Sequence, residues 1–243
     1  MAEAAIEFRF APLDGRAPLE LPAVQAAAQR VSADFPVQAP LSLVGFNVHV
    51  EQGMPAQLSQ SATVQGVRLQ SADARSFILL RLEAFSFSQM APYADWPTFV
   101  AAARHAWSEL QLQSQPLMVA RTGLRYINRI DIDLSNPSGV LDIEDYLHFY
   151  VHTPKSLPQP NMDSFQMAVS MPQTDIESMA VIQSALVPPP GPGVLSVSLD
   201  IDLSYSAAPE SLVGAWNRLD VLRHRKNDIF EACITETTRK MIA

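Results

Sequence analysis

Apolar and polar residues alternate in short runs along this chain, and each run predicts a strand with one buried side. Ile6, Phe8 and Phe10 alternate with Glu7 and Arg9, which gives a strand over 4–10. Over 43–51, Val44, Phe46, Val48 and Val50 fall on one side. Segments 63–70 and 77–88 read as a hairpin that turns at Ser71, Ala72, Asp73 and Ala74. Two segments switch to helical spacing. An Ala-rich stretch over 21–35 carries Pro22 in its first turn. Asp95 caps a second helix with Pro97 just inside it, and Trp96, Phe99, Val100, Ala103, Trp107 and Leu110 form its apolar stripe. The run 121–134 returns to period two. Leu124, Tyr126, Ile130, Ile132 and Leu134 lie on one face with Asn128, and Arg121, Arg125, Arg129, Asp131 and Asp133 lie on the other.

The second half repeats this order. Residues 142–151 read as a helix, 165–171, 178–187 and 194–206 as strands, and 209–241 as one long terminal helix. VPPPGPG, from Val187 to Gly193, is a stiff connection. A shift of 118 residues sets Ile6 on Leu124, Phe8 on Tyr126, and Phe85 to Ser88 on Leu203 to Ser206, each of the last pair leading into a Trp-bearing helix. The expected fold is therefore α+β: a β-α-β-β-β-α unit present twice, over 1–120 and 121–243. Two antiparallel sheets would carry their helices mainly on one side, leaving a polar sheet face or the groove between halves open.

Composition narrows the function classes. The 243 residues are 48% hydrophobic and 17% charged, a globular balance. With 25 acidic and 17 basic residues the net charge is −8, which disfavours non-specific nucleic-acid binding. One cysteine excludes an intramolecular disulfide and fits a reducing compartment. The opening MAEAAIEFRF lacks the basic region and apolar run of a signal peptide, and no window approaches the about 18 apolar residues of a membrane span. A cytoplasmic, non-membrane protein is expected.

Few residues are arranged for chemistry. Glu144, His148 and His152 would share one face of a helix over 142–151 and are the weak metal candidates, without an HExxH motif or a cysteine partner. Cys233 follows the apolar face of the last helix, as a small hydrophobe does. No G-x-S-x-G elbow, dinucleotide fingerprint or P-loop occurs, and the nine glycines do not cluster. No catalytic residue and no cofactor is expected. Asp131/Asp133 and Asp200/Asp202 each point one way from a strand, as the solvent face of a half-buried strand does. Two basic groups remain as binding candidates. Arg218, Arg223, Arg225 and Lys226 lie on the final helix, diluted by Asp220 and Asp228. Arg121, Arg125 and Arg129 form a ladder beside Tyr126, with Glu7, Arg9, Arg81, Glu83, Asp200 and Asp202 available on other strands for cross-strand pairs.

GLRYINRI, from Gly123 to Ile130, resembles the central strand of a sporadically distributed prokaryotic family of uncharacterised proteins marked by a GLRYxNRI-type motif. The upstream RLEAFSFSQMAPYADWPTF and the closing RHRKNDIFEACIT fit the same family, so the resemblance spans nearly the whole chain. It implies no activity and no catalytic residues. The family's patchy distribution implies genes carried on mobile or defence-related islands.

The expected function is that of a non-enzymatic binding protein: a subunit, antitoxin-like or chaperone-like partner of an accessory or defence-related bacterial system, acting on a protein partner or as a homo-oligomer. The contact surfaces expected are the arginine-bearing sheet face and the basic part of the last helix. A small-molecule or nucleotide sensor would use Arg121, Arg125 and Arg129 with Tyr126 near the groove between halves. A nucleic-acid module would use the duplicated plan as a saddle resembling the TATA-binding protein, an analogy of fold alone that the net charge opposes.

Overall fold

The computed structural model describes residues 1–49, 57–112, 117–134, 141–154, 156–159 and 162–242. It is a mixed α+β fold with a mostly antiparallel sheet and, among the described residues, four α-helices. In the first half of the chain come β1 (Glu3–Phe10), α1 (Leu21–Arg30), β2 (Val37–His49), β3 (Gln57–Gln70), β4 (Ser76–Arg81), β5 (Ala84–Met90) and α2 (Trp96–Leu110). The second half supplies β6 (Met118–Asp133), β7 (Gln166–Gln173), β8 (Ser178–Val187), β9 (Val194–Tyr205), β10 (Glu210–Ser211), α3 (Leu212–Cys233) and α4 (Glu236–Ile242). The hydrogen-bonded order is β2-β3-β4-β5-β1-β6-β9-β8-β7, with β10 on β6. One ten-stranded order thus stands where two antiparallel sheets were expected.

Contacts divide the chain into two compact units, Met1–Ile6, Met90–Tyr93 and Arg121–Ala243 in one, Glu7–Gln89 and Ala94–Ala120 in the other. The core of the second is aromatic. Phe8 stacks on Phe85 at 6.4 Å between ring centroids, and the Trp107 indole meets Phe85 edge-on at 5.1 Å. α2 buries Trp96, Phe99, Ala103, Trp107 and Leu110 of the stripe its sequence predicts, with Ala106 buried beside them and Val100 only half-buried, and its cap Asp95 accepts from the Thr98 N–H at 2.8 Å. α1 is shorter than its apolar pattern. It ends at Arg30, whose guanidinium donates to the Leu110 carbonyl at 2.9 Å and so satisfies the end of α2.

Segment 77–88 is two strands, not one. β4 and β5 pair with Arg81 opposite Ala84, so Leu82 and Glu83 make the turn. Neither is a residue that favours a tight hairpin turn; tertiary hydrogen bonds fix it instead, from the Leu82 N–H to Gln65 O and from the Leu19 N–H to Leu82 O. Nearby, the β2–β3 register slips between Leu41 and Ser42 in a β-bulge. Gly66 sits beside it because a Cβ there would lie 2.2 Å from the Leu80 carbonyl oxygen. β4 pairs with β3 only over Gly66 to Gln70, so from Gln57 to Gln65 the sole strand partner of β3 among the described residues is β2. Val50 and Glu51, expected to end that strand, lie outside the described residues, as do the side chains of Val48 and His49.

In the other unit β6 pairs with β9 along twelve positions, and α3 packs on β9 through Ala215, Trp216, Leu219 and Leu222. Two expected helices fail here for one reason. Residues 142–151 form a single 3-10 turn, Ile143–Asp145, and then an extended bridge from Leu147 to Ile234. The same bridge breaks the helix expected over 209–241: α3 starts at Leu212 and stops at Cys233, Ile234 is extended, and α4 resumes at Glu236. The His148 N–H donates to Cys233 O at 2.9 Å, and the Thr235 N–H to Tyr146 O at 3.1 Å. Aromatic and β-branched residues, from Tyr146 to Val151 and at Ile234 and Thr235, give up helix cheaply when a ladder is offered.

Candidate functional site

The arginine ladder and the paired aspartates, separate features in the sequence, meet across β6 and β9. Register sets Arg125 opposite Asp202 and Ile127 opposite Asp200, and each arginine reaches diagonally. The Arg125 guanidinium binds both oxygens of Asp200, at 2.9 Å from Nε and 2.5 Å from Nη2. Arg121 donates to Asp202 at 3.2 Å. Its guanidinium lies over Gly123, where a Cβ would stand 2.6 Å from Nη1. Arg129 binds its own-strand neighbour Asp131 at 2.8 Å and Ser196 at 3.0 Å, and Ser196 donates to Asp131, holding that carboxyl below the usual carboxylate range. Asp200 is the nearly dry one among the charged members, with its side chain 9% exposed against 47% for Arg125. A planar guanidinium already held in a bidentate fork has fewer donors left for an added anion.

Tyr126 is not part of this face. It points to the opposite, buried side of β6, as alternation requires. There its hydroxyl pairs with that of Tyr93 at 2.8 Å, with the rings edge-on at 5.7 Å. The Lys226 ammonium sits 3.9 Å from the Tyr126 ring centroid, a cation–π contact. Burial and the charge of Arg223 pull the Lys226 ammonium down to about 8, and burial with the Tyr93 hydrogen bond raises the Tyr126 phenol far above its ordinary value.

The rest of the basic stretch on α3 is also engaged within the chain. Arg218 stacks its guanidinium 3.8 Å over the Tyr205 ring and reaches Glu210 at 3.5 Å, the carboxylate that also accepts from buried Thr122 at 3.0 Å. Arg225 grips Asp175 with two nitrogens and donates to Gln173 at 2.6 Å, and this lowers the Asp175 carboxyl. Arg223 is half-buried, and its field acts on both Tyr126 and Lys226. Sequence reasoning missed Tyr93 as the partner of Tyr126, and Glu210 and Asp175 as the partners of Arg218 and Arg225; only tertiary contact brings each pair together.

The metal candidates do not come together. Without the helix, the spacing of His148 and His152 no longer stacks them, and Glu144 accepts from the Tyr150 hydroxyl at 3.0 Å. Among the described residues no group of three or more His, Cys, Asp or Glu is gathered to hold an ion. Cys233 is buried, which pushes its thiol up to about 11. No helix among the described residues is long and apolar enough to cross a membrane.

The feature that sequence patterning misjudged is β2. Alternation assigned Val44 and Phe46 to a buried side, yet Phe46 is 64% exposed and Val44 44%, and Leu43 on the opposite side is 65% exposed. Past Gly66 the β2–β3 hairpin has no further strand to pack on among the described residues, so both of its faces meet solvent. A signal was present in the composition: from Phe35 to Val67 the chain carries one formal charge, Glu51. No family model matches the chain, and no curated protein matches it at a significant level.

Proposed function

We propose that the chain is a non-enzymatic partner protein of the bacterial cytoplasm that acts by protein–protein contact, as a subunit or an antitoxin-like or chaperone-like component. The observation that carries this reading is the β2–β3 hairpin, which holds Leu43, Val44 and Phe46 in solvent without charges to solvate them. Large apolar side chains grouped on an uncharged, long edge strand are the surface that association buries. The basic groups, by contrast, are engaged within the chain by Asp200, Asp202, Asp131, Glu210 and Asp175. That favours contact through the hairpin over contact through the arginine face or α3. Membership of an accessory or defence-related system rests on the GLRYINRI resemblance alone.

The scaffold is, on this reading, a duplicated α+β unit. Counted from β1 the strand order is β1-β5-β4-β3-β2, and counted from β6 it is β6-β9-β8-β7. In both series the strand beside the first one leads into a Trp-bearing helix, α2 or α3. The test is purification of the tagged, intact chain from its own cells beside a Leu43→Lys, Phe46→Lys double variant. The expected result is a stoichiometric protein, another copy or a different chain, that the double variant loses. A wild-type chain that purifies alone as a monomer overturns the reading.

A further inference from the structure

One cation on α3 differs from its neighbours in what it touches. Arg218 and Arg225 each reach a carboxylate, whereas the Lys226 ammonium has, among the described residues, neither a carboxylate partner nor a hydrogen-bond acceptor. Its contact is the face of the Tyr126 ring, 3.9 Å from the centroid. The residue type matters as much as the place. Of the 17 basic residues only Lys155, Lys226 and Lys240 are lysines. An arginine would stack on that ring at least as well, but it cannot give up its proton, and a lysine can. We infer that Lys226 is an imine-forming amine that captures a small aldehyde carrying an anionic group, with the carbonyl at Nζ and the anionic end toward Arg223. The inference goes beyond the partner reading and needs nothing from the β2–β3 hairpin.

Three elements build the place, all within one compact unit. β6 supplies the Tyr126 ring, the segment before α2 supplies Tyr93, and α3 supplies Lys226 with Arg223 one turn earlier. Lys226 and Arg223 are both half-buried, so each keeps a surface open to a small molecule. Burial and the Arg223 charge favour the neutral amine, and Glu231, the acid that opposes them, is itself bound by Arg239. With its pKa at about 8, about one Lys226 in four is neutral at about pH 7.5, against about one in a thousand for an amine at the ordinary 10.5. The neutral nitrogen attacks the carbonyl carbon and forms the C–N bond, and a proton passes from nitrogen to the carbonyl oxygen. That hydroxyl then leaves as water with a second proton from nitrogen as the C=N bond forms, and nothing is oxidised or reduced. Burial and the Tyr93 hydrogen bond keep the Tyr126 phenol protonated, so the ring adds no negative charge against an anionic ligand. The net charge of −8 acts from farther away and is screened over about 10 Å at 0.1 M salt.

Because lysines are so few, digestion and mass spectrometry can follow Lys155, Lys226, Lys240 and the amino terminus one amine at a time. The intact chain is incubated at about pH 7.5 with glyoxylate and cyanoborohydride, which reduces an imine to a stable amine, and separately with uncharged propanal. With glyoxylate, Lys226 is expected to be labelled roughly tenfold faster than exposed Lys240, its larger neutral fraction being partly offset by the weaker nucleophilicity of a less basic amine. The preference is expected to be severalfold smaller with propanal and to vanish for both aldehydes in urea. Arg223→Gln is expected to remove the excess for glyoxylate over propanal. The comparison of the two aldehydes uses only the wild-type chain, so it stands if that variant does not fold. Labelling of Lys226 no faster than Lys240 overturns the inference. A preference that persists in urea also overturns it, because the preference would belong to the local sequence and not to the fold. An equal preference with both aldehydes, or an excess for glyoxylate that survives in folded Arg223→Gln, overturns the anionic class of ligand and the role of Arg223.

Discussion

Arg125 and Asp200 are bonded to each other but unequally solvated, and this makes their substitutions unequal. Removing Asp200 frees a guanidinium that is already half in water, whereas removing Arg125 strands a nearly dry carboxylate. Arg125→Ala is therefore expected to destabilise by about 2 kcal/mol and Asp200→Ala by less than about 1 kcal/mol in urea unfolding. Equal losses would mean that Asp200 finds water or another donor once the arginine is gone. Lys226 couples the stability of the fold to pH. Its pKa falls from an ordinary 10.5 to about 8 in the folded chain, so between those values the unfolded state holds more protons and stability rises with pH. The slope is on the order of 1 kcal/mol per pH unit at most. Tyr126 acts oppositely: its phenol stays neutral in the folded state, so above its ordinary value of 10.0 the unfolded chain loses the proton first and stability falls. Buried Cys233, its thiol pushed from 9.0 up to about 11, likewise takes stability away above about pH 9. Thermal melts from pH 7 to 11 are therefore expected to climb to about pH 9 and to descend above about pH 10, and Lys226→Met is expected to lose the climb. A climb no steeper in the wild type than in Lys226→Met would mean that the cation–π contact offsets burial.

At the scale of elements, the bridge between Leu147 and Ile234 joins a 3-10 turn to a helix break and makes the two depend on each other. The Thr238 hydroxyl donates to Tyr146 O at 2.6 Å, and Thr235 donates to Asp145 O at 2.7 Å. Thr238 is fully buried, so Thr238→Val removes a hydrogen bond with little change in volume and is expected to cost about 1 kcal/mol. Hydrogen exchange is the discriminating measurement: the His148 and Thr235 amides are expected to lose protection together, and loss at only one would uncouple the two segments. This pair also shows where sequence stops being informative. Apolar period located β1, β6, β8, β9 and α2, because those elements bury one face against a nearby core. It failed at 142–151, where a ladder with a residue some ninety positions away replaces local propensity. It failed again at Leu82–Glu83, a turn made without turn residues. The arginines and aspartates of the candidate site were each legible, but their pairing depends on the β6–β9 register, which one strand alone does not encode.

For the whole molecule, charge decides between the modes of association, because each mode responds to salt with a different sign. A nucleic-acid contact through Arg218, Arg223, Arg225 and Lys226 would release counterions, so its affinity would fall steeply as salt rises. It would also have to compete with Glu210 and Asp175 for the guanidiniums they hold, in a chain of net charge −8. The chain is therefore expected not to be retained on duplex DNA at about 0.1 M salt, and retention lost in an Arg218→Ala, Arg225→Ala variant would sink that expectation. Association through the uncharged hairpin behaves the other way. Its contacts bury apolar side chains, which salt does not weaken, while the repulsion between two acidic chains is screened over a Debye length that shrinks from about 30 Å at 0.01 M to about 10 Å at 0.1 M. Partner capture, or self-association by sedimentation where the partner is another copy, is thus expected to tighten or hold steady as salt rises between these two ionic strengths. Weakening would mean that ion pairs, not Leu43, Val44 and Phe46, carry the contact, and the arginine face of β6 would become the surface to mutate.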